Sequence, residues 1–154
     1  MSINTPSEII SHDAITVLLF ENSGKTFAVD VAACQDVNKN IHVTRVPHAP
    51  EHISGIVNIR GEIVTVFNLA RMLEYRTESD DASVVIRIKG GQENVALHVD
   101  RLRDTVALPL NILEEATFHL SENETRVISH VALLERTTVL LIDPDVLRAF
   151  LSEM

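Results

Sequence analysis

Seven histidines, one cysteine and a single Gly-Lys-Thr are the groups from which this 154-residue chain could build chemistry. His48 and His52 stand four apart, a spacing that on a helix would place both on one face to hold zinc. Pro47 and Pro50 break such a helix, and no HExxH or third nearby ligand accompanies them, so they read as loop histidines and no metal site is expected. His98, His119 and His130 have no acid or thiol beside them in sequence that would suggest a site. Gly24-Lys25-Thr26 looks like the end of a phosphate-binding loop. That loop needs a glycine five residues earlier and a helix after it; position 19 is Leu19 and a strand pattern follows, so a hairpin turn is expected. Cys34 follows Val31-Ala32-Ala33 with no cationic neighbour to lower its pKa, and reads as a packing residue. Glu114-Glu115 and Asp80-Asp81 are adjacent carboxylates, which point apart rather than converge. No GxSxG and no glycine-rich dinucleotide fingerprint is present. The sequence therefore argues against an enzyme and for no cofactor. The competing reading, a small enzyme with a site assembled from distant residues, would show itself as turnover by the isolated chain.

Composition narrows the partners. Thirteen Lys and Arg against 22 Asp and Glu leave a formal net charge of −9, and no basic stretch offsets it, so nucleic acid is excluded as an expected partner. With 45% hydrophobic residues the chain is too apolar to be disordered. One cysteine rules out an internal disulfide and fits a reducing cytosol. Apolar runs such as Val139-Leu140-Leu141-Ile142 are far shorter than the roughly 20 residues a membrane span needs, so no membrane insertion is expected. Residues 1–13 are polar, contain Thr5-Pro6 and read as a flexible leader; residues 14–152 read as one domain.

The elements that would position any site are mostly strands. Phe27, Val29 and Val31 alternate with Thr26, Ala28 and Asp30. Val84, Ile86 and Ile88 do so against Val85, Arg87 and Lys89, and Val95, Leu97 and Val99 against Ala96, His98 and Asp100. That period predicts half-buried strands. Ile63 to Phe67 and Thr138 to Ile142 are nearly all apolar and β-branched, and read as strands buried on both faces. Asn22-Ser23-Gly24, Arg60-Gly61 and Lys89-Gly90-Gly91-Gln92 supply turns. Helices are few. Asn68 caps a short one through Tyr75, and Asp143-Pro144 opens a C-terminal one with Val146, Leu147 and Phe150 as its apolar stripe. Pro109 to Ala116 holds room for one helical turn.

The chain also reads as a duplication. Phe27 to Val31 matches Val95 to Val99 at an offset of 68, whereas Ile53-Ser54 matches Ile128-Ser129 at 75, with Val64 to Phe67 on Val139 to Ile142 and Asn68 on Asp143. About seven extra residues then belong to the second copy, around Glu114 to Glu124, and the acidic stretch Thr77 to Asp81 is the loop between copies. Two barrels of about 70 residues have small cores, so they should be fused across shared apolar surface. Within this frame Gly55-Ile56-Val57-Asn58-Ile59-Arg60-Gly61-Glu62-Ile63-Val64 stands out: two apolar strands flank a turn in which Gly61 supplies a positive φ and Arg60 is projected. At offset 75 that turn becomes Glu135-Arg136, so only the first copy carries Arg-Gly.

Thr44-Arg45-Val46-Pro47, Ala49-Pro50 and Ile53 to Val64, together with the strand Phe27-Ala28-Val29-Asp30-Val31, resemble the CheW family of bacterial chemotaxis coupling proteins, over about Thr16 to Leu151. The resemblance implies a mainly β fold of two intertwined five-stranded SH3-like barrels with short helices and a C-terminal helix. It implies a non-enzymatic adaptor that couples transmembrane chemoreceptors to a CheA-type histidine kinase. Such a protein would be cytoplasmic and recruited to membrane receptor arrays, with the kinase and the cytoplasmic receptor tip as partners. The same domain serves pilus-motility and surface-sensing pathways, and a peptide-binding barrel of another signalling system is the further alternative. By position the resemblance carries binding roles onto Val31, Cys34, Asp36, Gly55, Arg60 and Val84. On that basis Asp36→Lys should weaken kinase binding and leave the fold intact. Asp36 stands where the family usually has Glu, Thr65 replaces a common proline, and Asn68 replaces a common Asp while remaining an equally good N-cap.

Overall fold

The computed structural model describes residues 13–75, 84–91, 94–115 and 120–152. The expected leader (but for Asp13), the Thr77–Asp81 loop, Asp80-Asp81 and His119 lie outside them. Strands dominate, in the order β1 (Ala14–Asn22), β2 (Lys25–Asp30), β3 (Cys34–Lys39), β4 (Ile53–Ile59), β5 (Glu62–Asn68), helix α1 (Leu69–Met72), β6 (Val84–Ile88), β7 (Val95–Val99), β8 (Arg101–Pro109), β9 (Glu114–Glu115), α2 (Glu122–Thr125), β10 (Ile128–Leu134), β11 (Thr137–Ile142) and α3 (Pro144–Ser152).

The strands form two sheets, ordered β8-β1-β2-β11-β10-β9 and β3-β6-β7-β5-β4. Each sheet takes strands from both halves of the chain: β1 and β2 join the strands of the second half, and β6 and β7 join those of the first. The halves are thus intertwined by exchange of their leading hairpins. The expected five-stranded units are present, one of them extended by the two-residue β9. The ladders repeat as the two offsets require. Phe20 pairs with Phe27 as Ile88 pairs with Val95, 68 positions on. The parallel pair Phe27–Leu140 corresponds to Val95–Thr65, 68 and 75 positions away. The additional residues of the second half fall between β8 and β10, where a 3-10 turn at Leu110–Ile112, β9 and α2 sit.

Three apolar clusters follow from this exchange. Val17, Leu19, Ala28, Leu108, Ala132, Val139 and Leu141 fill the first sheet's own core. Val57, Ile59, Val64, Val66, Val85 and Ala96 fill that of the second. The largest cluster lies between the sheets, where Phe20, Phe27, Val29 and Leu140 meet Phe67, Ile86, Leu97 and the helix residues Leu69, Leu147 and Leu151. Phe20 stacks on Phe27 there with ring centroids 5.5 Å apart. β2, β6 and β7 therefore bury both faces almost throughout, whereas Ile63 at the start of β5 is 57% exposed, which corrects its reading as part of a strand buried on both faces. The alternation read at Val84–Lys89 as one wet and one dry face is corrected: all five residues of β6 are buried.

The caps act as the sequence predicts. Asn68 Oδ1 accepts from the Arg71 amide at 3.1 Å, and Asp143 Oδ1 from those of Asp145 and Val146 at 2.9 and 3.2 Å. Helix α1 is shorter than expected because Glu74 takes φ 58° and the Tyr75 amide closes back on the Ala70 carbonyl at 2.8 Å. In α3 the buried stripe is Leu147 and Leu151, with Phe150 only partly packed; Val146 is exposed, which corrects its expected place.

A polar junction ties the halves together. Glu124 is buried, and its carboxylate accepts from the Tyr75 hydroxyl, from Lys25 Nζ at 3.0 Å and from the Ser121 amide at 2.9 Å. Burial alone would push this carboxyl up; the Tyr75, Ser121 and Lys25 donors override it and hold it down at about 2. Burial and the Glu124 carboxylate push the Tyr75 hydroxyl well above its ordinary value.

Two outcomes follow for stability. Leu140→Ala removes a side chain wedged in the shared core and should cost about 2–4 kcal/mol in urea denaturation. The Glu124 pKa lies below its ordinary value of 4.5, so its contribution is complete above that pH and is lost as pH falls toward about 2. Glu124→Gln should therefore lower stability at pH 6 and shrink the difference between urea midpoints at pH 6 and pH 3.

Candidate functional site

The Arg60–Gly61 turn joins β4 to β5 as a two-residue hairpin with φ of 53° at Arg60 and 87° at Gly61, the hand of a turn that matches strand twist. Asn58 Oδ1 accepts from the Gly61 amide at 2.9 Å and fixes the loop, leaving Arg60 exposed as expected. The equivalent turn between β10 and β11 has φ of 49° at Glu135 and 69° at Arg136. The same backbone thus forms without glycine. The two tips differ in what they present, not in how they fold.

Cys34 and Asp36 belong to β3, the edge strand of the same sheet, and Val31 to the turn that leads into it; Cys34 packs against the cluster between the sheets, whereas Asp36 meets Arg87 on the other face. Val31, 38% exposed, opens a 3-10 turn (Val31–Ala33) whose Ala32 amide donates to Asp30 Oδ1 at 2.9 Å. Cys34 begins β3, half-buried, with Sγ 3.7 Å from the Asp30 carbonyl. Burial, reinforced by the Asp30 charge and only partly opposed by Lys89, pushes its thiol up to about 11, so it is a packing group rather than a nucleophile.

Asp36 faces inward as well as outward. Its Oδ2 accepts from Arg87 Nη1 at 3.2 Å and its Oδ1 from Asn38 Nδ2 at 2.7 Å. Arg87 is 3% exposed and its Nη2 also donates to Glu62, at the foot of the Arg60 turn. The expectation that Asp36→Lys spares the fold is corrected on this ground, since a cation there would face a buried guanidinium stripped of a partner. Sequence reading missed Arg87 and Glu62, because Arg87 occupies what looked like the wet face of β6. The available signal was its flanking context, Val85 on the same face of β6 and Ala96 on that of β7.

The other two candidates are structural. Val84 is 5% exposed within the shared core, so burial removes its side chain from any partner-facing surface. Gly55 is buried at a register shift in β4, where the Thr44 strand segment crosses it. Thr44 and Ile56 exchange backbone hydrogen bonds of 2.8 Å, and a Cβ at position 55 would lie 2.1 Å from the Thr44 carbonyl oxygen. Any side chain at position 55 would displace the 43–45 segment.

That segment helps line an open concavity of about 400 Å³, with Arg45, Val46, Ala49, Pro50, Ser54 and His98 in its wall. His98 Nδ1 contacts Ser54 Oγ at 3.1 Å. His48 is an exposed loop residue, whereas His52, also outside the strands, is half-buried and stacks on Phe67 with centroids 6.0 Å apart. Among the described residues no three His, Cys, Asp or Glu side chains converge as a metal site would require, and no helix is long and apolar enough to cross a membrane.

Comparison with known proteins places this geometry. The CheW-like domain model matches residues 16–149. The chemotaxis protein CheW of Klebsiella aerogenes is 25% identical over 127 residues, covering 82% of this chain and 76% of the relative. That of Bacillus subtilis is 26% identical over 132 residues, covering 84% and 83%. The crystal structure of the scaffolding protein TtCheW from Thermoanaerobacter tengcongensis superposes with a TM-score of 0.72 at 22% identity, covering 84% of this chain and 89% of that one. A match over nearly the whole domain, joined to the exchanged two-sheet architecture and the exposed Arg-Gly turn, makes this chain a member of the CheW-like domain family.

Proposed function

We propose that this protein is a non-enzymatic chemotaxis adaptor that couples the cytoplasmic tips of transmembrane chemoreceptors to a CheA-type histidine kinase. Its place is the cytoplasm, at receptor arrays. Family membership supports the coupling role, and one observation in this chain favours Arg60 within it: Arg60 projects from a turn whose twin, Glu135-Arg136, keeps the backbone and changes the side chains. Turn formation therefore does not account for an arginine at that tip. Its fixed backbone lowers the entropy lost on engagement, and its guanidinium offers a planar fork to carboxylates or carbonyls.

The β3 edge with Cys34 and Asp36, and Val31 in the turn before it, extends the surface offered to the kinase. Cys34 and Asp36 contribute mainly through the shape and rigidity of that edge, since one is half-buried and the other is engaged by Arg87 and Asn38. Gly55 contributes by holding the 43–45 segment against β4.

Reconstitution tests the reading: the wild-type chain should bind a CheA-type kinase and raise its receptor-dependent autophosphorylation. Arg60→Glu should change folding stability by no more than about 0.5 kcal/mol, as at other surface sites, yet lower that activation. Normal activation by the folded Arg60→Glu variant would remove Arg60 from the site. Asp36→Lys should behave oppositely, losing on the order of 3 kcal/mol of stability in urea titration because it sets a second cation against the buried Arg87 guanidinium and leaves it Glu62 alone.

A further inference from the structure

Arg87 reaches across its own sheet. Its neighbours along β6, Ile86 and Ile88, point into the core between the sheets, so Arg87 points the other way, into the side filled by Val85, Val64 and Val66. Its register partner on β7 is Ala96, fully buried and small, which leaves the guanidinium room to cross that strand. On one side Nη1 meets Asp36 of β3; on the other Nη2 meets Glu62 of β5. In the sheet order β6 and β7 stand between those two strands, so a single side chain joins two strands that share no ladder. Asp36 is fixed at both oxygens, and Glu62, whose side chain remains 54% exposed, is pinned one residue beyond the Arg60–Gly61 turn.

We propose that Arg87 is the positioning residue of the partner-facing surface: its buried fork, held between Asp36 and Glu62, sets the β3 edge and the Arg60 turn in one fixed relation before the kinase arrives. This rests on the adaptor reading above. The chemistry requires a fork, because two carboxylates on non-adjacent strands are held at once by two different nitrogens of one planar group. A lysine supplies the charge but not the two directed donors. A buried ion pair is also a poor device for stability alone, since apolar side chains of similar volume commonly do as well or better. Presetting two separated contact elements instead lowers the ordering cost of association.

The test compares binding with stability. Kinase affinity is measured by calorimetry, and folding by thermal melts, for wild type, Arg87→Lys and the charge-free double variant Arg87→Met/Asp36→Leu. The double variant removes the buried charge and one partner together, so it should keep a cooperative melt. Both variants should bind a purified CheA-type kinase about tenfold or more weakly than wild type, a loss of about 1.4 kcal/mol in binding. Amide resonances at residues 34–39 and 60–62 should shift together in both. Wild-type affinity in either folded variant overturns the positioning role and leaves the adaptor reading standing. Unfolding of both variants assigns Arg87 to the fold alone and likewise overturns it. Absence of binding by the wild-type chain overturns the adaptor reading, and the positioning role with it.

Discussion

Phe20, Phe27, Leu97, Ile86 and Leu140 meet in a core that neither half of the chain could close by itself. A barrel of about 70 residues buries too little surface to be secure alone. Exchange of the leading hairpins answers that constraint, because each hairpin contributes one face to its adopted sheet's own core and the other to the core between the sheets. Everything else in the fold follows from keeping that double burial intact. The central strands carry apolar residues on both faces, the two cores within the sheets are small, and α1 and α3 dock Leu69, Leu147 and Leu151 into the common cluster.

Two buried ions sit at the seams of this arrangement. Glu124 gathers Tyr75, Lys25 and Ser121 from separated parts of the chain, and Arg87 gathers Asp36 and Glu62. Each is satisfied by several donors or acceptors, as a buried charge must be to avoid its desolvation cost. Their roles differ by location. Glu124 closes the junction near α2, whereas Arg87 lies beneath the edge and turn that face outward.

Outside these cores lie a strand edge, a hairpin tip and the 43–52 segment. The comparison of the two hairpin tips is informative because the duplication acts as an internal control. The backbone at Arg60-Gly61 and at Glu135-Arg136 has the same hand, so the turn does not depend on an arginine at its tip. Local geometry alone accounts for Gly55, since its lack of a side chain is what admits the Thr44 carbonyl.

The sequence by itself determined the strand-rich class, the two offsets of the repeat, the caps at Asn68 and Asp143, and the exposed Arg60. These are signals of local periodicity, turn chemistry and capping, which act over a few residues. The burial of Val64, Val66, Leu140 and Ile142 was also legible, because their runs are nearly all apolar and β-branched, and that of Val29 and Leu97 from the apolar phase of their alternation. Only the tertiary structure decided which face of β6 is wet, and the answer is neither. Alternation cannot distinguish a half-exposed strand from one lying between two cores when a polar residue on the second face is satisfied by distant partners. Arg87 is such a residue: its partners are 51 and 25 positions away in sequence, and pairing across that separation is fixed by the sheet order alone. For the same reason a resemblance read along the chain cannot see that Val84 is turned into the shared core or that Gly55 lies under the Thr44 carbonyl, since both depend on strands that are distant in sequence.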